Sequence, residues 1–435
     1  MKEKIKEIIS TNQARTYNSV VERSIQPPLN SKKILSIIGP RRAGKTHVLQ
    51  LLIKKAIEKG VGKEQIILIN FEDERLISDD FEFDLILQAY MELFPQAVLS
   101  DCYFFFDEIQ NFRHWEKFVR RLYDDYSKNI YVTGSNASYL STEIATSLRG
   151  RSIAIEVLPL SFKEFLHFKG ITLNLHDAQH KAQIVNAFQE YLTDGGFPEL
   201  VGMEETLKKK VLQEYFNVMI YRDLVERFAI SQPLLLKYFI KKVFVGTGKP
   251  LSINKIYNDF KSNKHSVGKN TLYDFLGFVK DAYVLSTIDK FDFSEMKREN
   301  NDKKAYAIDW GLLSAVEYSS SDDFGKLFEN LVVLEFQKLG LKTFFFKQLK
   351  ECDLIVETRP NAFLPIQIMY VTKKSETLTR ELKGLKEAAN FLGTDQGIII
   401  TMEQEKEMDY QGIKVKVIPA FKYFTLNEAQ HDFLF

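Results

Sequence analysis

The chain has 435 residues, of which 45% are hydrophobic and 27% are charged; this composition is typical of a globular protein of about three domains and excludes a largely disordered one. Its 59 basic and 58 acidic side chains give a net charge of +1, so any nucleic-acid surface must be a local patch. Cys102 and Cys352 lack the spacing of a metal site, and the sequence contains neither a long apolar run nor a secretion signal. We therefore expect a cytoplasmic protein with no membrane partner.

The first informative stretch is ILSIIGPRRAGKT, in which an apolar strand runs into a glycine-containing loop and then into a helix. This is the P-loop pattern in the strand–loop–helix setting that it requires. Backbone N–H groups and the helix dipole hold phosphates in such a loop, while its lysine reaches the β- and γ-phosphates. The predicted nucleotide-binding residues are Gly39, Pro40, Arg41, Arg42, Ala43, Gly44, Lys45, Thr46 and His47.

A second buried strand, CYFFF, ends in Asp107 and Glu108. Ligands of parallel sheets gather beyond the carboxyl ends of such strands. Asp107 would hold Mg²⁺ through water, with the Thr46 hydroxyl as a further metal ligand, and Glu108 would act as the general base for the attacking water. The alternative is a simple pair of charges at a helix N-terminus. The P-loop favours the catalytic interpretation, and Glu108 argues against a small-molecule kinase.

The next strand, NIYVTG, leads to Ser135 and Asn136, whose neutral polar side chains are candidates for contacting the γ-phosphate or the attacking water. An ordinary strand-to-loop turn is the alternative. Arg149 and Arg151 follow in SLRGRS and are candidates for stabilising transition-state charge, in the same chain or from a neighbouring subunit. Solvated surface arginines remain the alternative for this pair.

Six stretches occur in an order that resembles a family of prokaryotic AAA-type ATP-binding proteins close to the archaeal-type ATPases. They are GPRRAGKT, INFEDERL, FFFDEIQ, TGSN, the RGR-to-PLSFKEF passage and YLTDGGFPEL. The resemblance implies an α/β fold: a P-loop NTPase (AAA-like) parallel-sheet core with a helical lid, followed by a winged helix and a restriction-endonuclease-like domain. It also implies ATP and Mg²⁺ as cofactors, and Lys45, Thr46, Asp107 and Glu108 match the ATPase motifs.

These motifs divide the chain into four predicted segments. We place an N-terminal helix and the P-loop core at residues 1–158 and the helical lid at residues 159–230. The lid contains a turn at GGFP and Asp223, which matches a family position of unassigned role. The winged helix is predicted at residues 231–300 and the nuclease-like domain at residues 301–435.

The predicted winged helix contains three helical stretches and then an alternating strand, YVLSTIDKF, in the place of a wing. Residues 241–290 hold nine Lys and four Asp, a local charge of +5. Lys261, Lys264, His265 and Lys269 cluster before or at the predicted recognition helix and are candidate contacts to double-stranded DNA. This segment lacks an arginine to pair with guanine, so we expect weak sequence readout. A protein-interaction module is the alternative.

The last segment has the element order of PD-(D/E)XK nucleases, whose sites need two carboxylates for Mg²⁺ and a lysine. Glu329 on the first helix and Asp353 on the central hairpin are present, but Gln367 and Met369 stand where a carboxylate and a lysine are needed. Lys373 and Lys374 lie roughly 13 Å further along than Met369 on an extended strand. We therefore predict a degenerate site that does not cut DNA.

Together these features predict a Mg²⁺-dependent ATPase in which hydrolysis repositions the winged-helix and nuclease-like modules, with ATP, DNA and a protein partner or a second copy of the chain as candidate partners. Three alternatives stay open: a nucleotide-gated switch with little turnover, a metal-dependent DNA nuclease and a DNA-anchored scaffold.

Overall fold

The structure is a computed structural model that describes residues 1–17, 20–77, 81–135, 148, 150–316, 324–370 and 375–426. The chain divides into two compact units, one of Met1–Leu158 with Asp281–Tyr283 and one of Pro159–Lys280 with Val284–Phe435. The predicted P-loop lies in the first unit, and the predicted lid and nuclease-like segments lie in the second. No helix in the described parts of the chain has the length and apolar character needed to cross a membrane.

The first unit is built on a parallel sheet. Its elements in chain order are α1 (Lys2–Gln13), β1 (Ile34–Ile38), α2 (Lys45–Glu58), β2 (Ile66–Asn70), α3 (Asp84–Leu93), β3 (Tyr103–Asp107), α4 (Trp115–Asp125), β4 (Asn129–Gly134) and β5 (Ser152–Glu156). The strand order is β2-β3-β4-β1-β5, with every neighbouring pair parallel. Strand β4 therefore lies between the P-loop strand β1 and the acidic strand β3.

Strand β3 shows why this sheet carries helices on both faces. Phe104 and Phe106 enter one hydrophobic core together with Trp115 of α4, while Phe105 enters the opposite core with Leu52 of α2. Successive side chains of a strand point to opposite faces, so a continuous aromatic run such as YFFF suits a strand that is covered on both sides. All five positions of β3 are buried, and Asp107 is its last residue.

The second unit combines helices with a mixed sheet. Its elements are α5 (Phe162–Phe168), α6 (Ala178–Asp194), α7 (Glu205–Val218), a π-helical segment (Met219–Glu226), α8 (Pro233–Val245), α9 (Ile253–Ser262), α10 (Lys269–Asp281), β6 (Leu285–Lys290), α11 (Glu295–Asn300), β7 (Lys303–Ala307), α12 (Trp310–Val316), α13 (Phe324–Lys338), β8 (Lys342–Lys347), β9 (Glu351–Arg359), β10 (Ala362–Met369), α14 (Ser375–Leu392), β11 (Gln396–Thr401), β12 (Lys406–Tyr410), β13 (Ile413–Pro419) and α15 (Ala420–Tyr423). Eight strands form one sheet in the order β12-β13-β11-β10-β9-β8-β6-β7.

The strand expected as a wing is present as β6, but it is part of the large sheet. It pairs antiparallel with β7 on one edge and parallel with β8 on the other. Both backbone edges of β6 are therefore used, and the hairpin of β6 and β7 does not stand apart from the C-terminal strands. The predicted boundary between residues 300 and 301 falls between the two strands of this hairpin, so it is not a break between separate folds.

Candidate functional site

The loop between β1 and α2 has the backbone conformation of an anion-binding loop. Gly39, Arg42 and Gly44 have φ angles of 147°, 67° and 97°. A Cβ atom on Gly39 would lie 2.0 Å from the Val157 carbonyl oxygen, so the close approach of the two backbones requires glycine. Arg42 adopts a left-handed conformation that non-glycine residues rarely take, a form of strain that is concentrated at functional sites. Such a run of turned peptides presents N–H groups to an anion.

Lys45 is the first residue of α2, and its ammonium group contacts the backbone of the loop that precedes the helix. Its side chain is buried, with Nζ 3.1 Å from the Pro40 carbonyl oxygen and 3.3 Å from Glu108 Oε1. The ammonium group thus joins the P-loop to the acidic end of β3. A phosphate group placed in the loop would meet this cation directly.

Asp107 is held by two hydroxyl groups from different elements. Thr46 Oγ1 donates to its Oδ2 at 2.8 Å and Thr133 Oγ1 donates to its Oδ1 at 2.5 Å. Burial raises the pKa of Asp107; the hydroxyl of Thr133 opposes this effect, and the negative charge of Glu108 adds to it. The net pKa lies above the ordinary value because desolvation outweighs the hydrogen bonds.

Glu108 has the opposite electrostatic environment. Burial also penalises its charge, but Lys45, the hydrogen bond from Gln110 and the charge of Arg41 together hold its pKa below the ordinary value. Gln110 Nε2 donates to Oε2 at 2.6 Å. Glu108 itself has a φ of 49°, a left-handed backbone conformation that non-glycine residues rarely adopt. Two adjacent carboxyl groups with pKa values shifted in opposite directions are typical of a catalytic pair.

Other predicted P-loop residues have partners of their own. Arg41 Nη1 lies 2.8 Å from Glu72 Oε1, and Ala43 is fully buried. The imidazole Nε2 of His47 lies 2.7 Å from the Val21 carbonyl oxygen. These contacts engage the side chains of Arg41 and His47, and the charge of Arg41 also acts on Glu108.

Two of the predicted γ-phosphate and arginine positions can be located. Ser135 follows β4 directly and is buried. Arg151 forms an ion pair with Asp124 of α4, with Nε 2.8 Å from Oδ1. Asn136 and Arg149 lie outside the described residues.

Thr133 is a site residue that the sequence analysis missed. It accepts the backbone N–H of Glu108 at 2.8 Å while it donates to Asp107. The register explains the contact, because Val132 pairs with Phe106 and the next residues of β4 and β3 therefore lie side by side. The available signal was a lone hydroxyl residue at the end of the apolar run NIYVTG.

The donor set fits a magnesium-bound nucleotide. A hydroxyl and a carboxylate oxygen, from Thr46 and Asp107, are the ligand types that Mg²⁺ prefers. A cavity of about 100 Å³ is lined by both residues, by Asn12 of α1 and by Arg15, which follows α1. Together with the turned loop and Lys45, the residues present can hold a triphosphate and its metal ion.

In the second unit the structure brings two of the four predicted nuclease-like positions into direct contact. Gln367 Oε1 accepts the backbone N–H of Asp353 at 3.2 Å, and Asp353 Oδ2 accepts the backbone N–H of Ile368 at 3.0 Å. Glu329 reaches the same region from α13 with a partly exposed side chain. Met369 is only 4% exposed and belongs to the hydrophobic core between the sheet and α14.

This region also contains a lysine that sequence reasoning did not find. Lys304 of β7 has its Nζ 3.4 Å from Glu329 Oε1 and 3.9 Å from Asp353 Oδ1. Lys304 lies far along the chain from both carboxylates, so no contiguous sequence motif contains all three residues. Lys373 and Lys374, the two lysines noted from the sequence, lie outside the described residues.

The candidate DNA-contacting residues lie around the turn between α9 and α10. Lys261 and Lys264 are exposed, and Lys264 adopts a left-handed conformation with a φ of 58°. Lys269, the first residue of α10, lies with Nζ 5.3 Å from the centre of the Tyr257 ring. His265 is exposed as well, and its ring packs against Tyr238 and Phe260.

The P-loop, the acid pair at the end of β3 and the parallel sheet with β4 between those elements define an AAA-type P-loop domain. Residues 31–166 match a family model described as an AAA domain, and residues 185–323 match a domain of unknown function, DUF8612. The chain belongs to the same family as the uncharacterized protein MJ1544 of Methanocaldococcus jannaschii. The two are 34% identical over 421 residues, which cover 93% of this chain and 91% of that protein.

Other similar proteins are more distant. An uncharacterized protein of Haemophilus influenzae is 28% identical over 382 residues, covering 87% of this chain and 91% of that protein. Among solved structures, the Aeropyrum pernix ORC1 protein in complex with DNA has a TM-score of 0.31 at 10% identity, covering 74% of this chain and 92% of that chain. AMPPCP-bound DnaA from Aquifex aeolicus has a TM-score of 0.26 at 15% identity, covering 64% and 86%. TM-scores of this size describe a distant likeness.

Proposed function

We propose that this protein hydrolyses ATP in a Mg²⁺-dependent reaction at the P-loop of its first unit. The observation that carries the proposal is the environment of Glu108, a buried carboxylate whose pKa is lowered by Lys45. It directly follows Asp107, whose carboxylate accepts a hydrogen bond from the P-loop hydroxyl of Thr46.

Each side chain has a distinct task in this proposal. Lys45 leaves its ion pair with Glu108 to bind the β- and γ-phosphates, and Thr46 and Asp107 hold the metal site. Glu108, then free of its cation and still hydrogen-bonded by Gln110, accepts a proton from the attacking water. Mg²⁺, when bound, supplies positive charge against the charge that develops on the phosphate oxygens.

The nucleotide-gated switch differs from the ATPase in one measurable property, which is turnover. A general base contributes about 10²- to 10⁴-fold to a rate. We therefore expect Glu108→Gln to lower steady-state phosphate release by at least about 100-fold while ATP binding persists. Glu58→Gln, an exposed position at the end of α2, is the matched control and should leave both properties unchanged.

Phosphate release and ATP binding measured on the same preparations separate the possible outcomes. Equal, very slow release by the wild type and by Glu108→Gln, with ATP bound in both, would favour the switch. Absence of ATP binding to the folded wild type would overturn both interpretations.

We further propose that helix α10 contacts double-stranded DNA. Its buried side chains include Leu272, Phe275 and Val279, whereas Lys269, Tyr273 and Lys280 are exposed at helical spacing on the other side. An exposed face with cations and an aromatic ring suits phosphate and sugar contacts. Fluorescence anisotropy with a labelled duplex tests this, and Lys264→Glu with Lys269→Glu should weaken binding.

The finer parts of the proposal concern the second unit. The C-terminal part follows the element order of a nuclease-like domain, with helices α13 and α14 and strands β8, β9, β10 and β11. We propose that this domain is catalytically degenerate because Gln367 and Met369 supply neither a carboxylate nor a lysine. We propose that ATP hydrolysis repositions this domain and the DNA-contacting helices. The order of these modules behind the P-loop core supports the coupling.

A further inference from the structure

Lys304 has an environment that is unusual for a lysine. Its side chain is fully buried in β7, and its Nζ lies among three carboxylates contributed by α13 and β9. The distances are 2.8 Å to Glu351 Oε1, 3.4 Å to Glu329 Oε1 and 3.9 Å to Asp353 Oδ1. We call Glu329, Glu351 and Asp353 the carboxylate cluster.

Further donors hold the carboxylate cluster in place. The hydroxyl of Tyr306 donates to Glu329 Oε1 at 2.9 Å, and Lys347 Nζ lies 2.9 Å from Glu351 Oε2. Tyr306 is on the same strand as Lys304, two residues along, and both side chains point to the same face of the sheet. Strand β7 therefore supplies both an ammonium group and a hydroxyl group to the cluster.

The backbone at position 248 leaves room for the Glu329 carboxylate because the residue there is glycine. A Cβ atom on Gly248 would lie 2.5 Å from Glu329 Oε2, and Gly248 has a φ of 79°. A larger residue there would push the Glu329 carboxylate out of its position. Glu329 is thus fixed on one side by backbone and on the other by Tyr306 and Lys304.

The ammonium group retains its proton in this environment. Burial alone would lower the pKa of Lys304, but the charges of Glu329, Asp353 and Glu351 outweigh burial and raise it above the ordinary value. Burial and the charge of Glu329 raise the pKa of Asp353, although Lys304 opposes them. Removing the ammonium group would take away the cation next to Glu329 and Asp353 in a largely buried place, which is strongly unfavourable.

A divalent metal ion would need the position that this ammonium group takes. Carboxylate oxygens bind Mg²⁺ or Ca²⁺ at about 2.0 to 2.6 Å, and Lys304 Nζ lies among the same oxygens. The Gln367 oxygen is already engaged with the backbone N–H of Asp353. In the described part of the chain no group of three His, Cys, Asp or Glu side chains is arranged to hold a metal ion.

We propose that Lys304 is the resident cation of the carboxylate cluster and takes the place of a divalent metal ion in this domain. The domain then needs no metal for its fold, and the three carboxylates can move together around a metal ion only when this lysine is lost. This inference concerns the second unit and does not depend on ATP hydrolysis in the first.

The test compares Mn²⁺ binding by five forms of the full chain without nucleotide, using the electron paramagnetic resonance signal of free Mn²⁺. They are the wild type, Lys304→Met, the matched control Lys303→Met, the single variant Asp353→Asn and the double variant Lys304→Met/Asp353→Asn. Lys303 is the neighbouring strand residue and pairs with Asp289 instead of the cluster. We expect one more bound Mn²⁺ per chain in Lys304→Met than in the wild type or the control, and loss of that ion in the double variant.

Two results would overturn the proposal. One is a Mn²⁺ ion in the wild type that Asp353→Asn removes, since the lysine and a metal would then share the cluster. The other is a folded Lys304→Met chain that gains no ion. If Lys304→Met fails to fold, the comparison of wild type with Asp353→Asn still decides, because identical Mn²⁺ binding by these two supports the proposal and a difference refutes it.

Discussion

A single hydroxyl group, that of Thr133, holds the acid pair at the end of β3 in place. Thr133 donates to Asp107 and accepts from the backbone of Glu108, so one side chain on β4 fixes the last residue of β3 and the residue that follows it. Neither carboxylate is held by its own strand alone. The positions of Asp107 and Glu108, the proposed metal ligand and general base, therefore depend on the neighbouring strand.

We expect Thr133→Val to impair both stability and turnover. Valine has nearly the shape of threonine but cannot donate to the buried carboxylate of Asp107, and leaving a buried polar group without its partner costs about 1–3 kcal/mol. A misplacement of the acid pair that costs about 1.4 kcal/mol in the transition state lowers the rate about tenfold. Urea unfolding and phosphate release measure the two effects.

Thr133→Ser keeps the hydroxyl group and is the control for this position. It should retain most of the activity that Thr133→Val loses. Equal loss in the two variants would show that the methyl group, and hence packing, is what matters at Thr133.

At the scale of elements, the stretch YLTDGGFPEL has a structural explanation within the second unit. The buried Asp309 accepts the backbone N–H of Gly196 at 2.7 Å and that of Gly311 at 2.9 Å. A Cβ atom on Gly195 would lie 1.9 Å from the Asp309 carboxylate. Trp310 Nε1 donates to the Tyr191 carbonyl oxygen at 2.6 Å. The two glycines thus let the end of α6 dock on the start of α12.

Asp309 predicts a pH dependence of stability. Burial raises its pKa to about 6, despite the two backbone donors and the charge of Lys338. The folded chain then binds a proton more tightly than the unfolded chain, so this contribution is fully present below the unfolded pKa and is lost as pH rises through about 6. Relative to Asp309→Asn, the wild type should lose roughly 1 kcal/mol of unfolding free energy between pH 5 and pH 7.

Urea unfolding of the second unit can be followed by the fluorescence of Trp310, because the chain has two tryptophans and the other, Trp115, can be replaced by Phe. Asp302→Asn, an exposed position on the approach to β7, is the control and should track the wild type across the pH range. A difference between wild type and Asp309→Asn that stays constant with pH would mean that Asp309 is ionised throughout.

At the scale of the whole molecule, the sequence predicted those site residues whose motifs are contiguous in the chain. Lys45 and Thr46 follow the loop glycines directly, and Asp107 and Glu108 end one apolar run, so a contiguous motif revealed them. The aromatic run of β3 likewise predicted a strand buried on both faces. Each of these features is encoded within about ten residues of chain.

The residues that were missed depend on pairings between distant parts of the chain. Thr133 became visible only through the register of β4 against β3. Lys304 meets Glu329 and Asp353 only because β7 joins the sheet through β6. The alternating pattern of β6 predicted a strand correctly, but periodicity carries no information about which strand it will pair with.

The last prediction concerns the salt dependence of DNA binding, which follows from the charge distribution along the chain. The chain carries +1 overall, while residues 241–290 carry nine Lys and four Asp, so any DNA affinity must come from this local excess. Each phosphate neutralised by a lysine releases condensed counterions, and the slope of log K against log salt for duplex DNA is about −0.9 per phosphate contact. Reversing Lys264 and Lys269 should therefore weaken binding for every duplex sequence and make the slope less negative by about 2.

The matched control is Lys297→Glu with Lys303→Glu, which makes the same charge change in and beside the hairpin of β6 and β7. The measurement is an anisotropy titration at several salt concentrations from low to moderate. We expect the salt slope of this control to be close to that of the wild type. A change of overall charge that removes no phosphate contact acts mainly through long-range attraction, which salt screens. If both double variants change the slope equally, the net charge of the chain and not the turn before α10 governs the attraction. If neither does, Lys264 and Lys269 do not contact DNA phosphates, and Tyr273, which is exposed on α10, is the residue to replace next in a partner-binding assay.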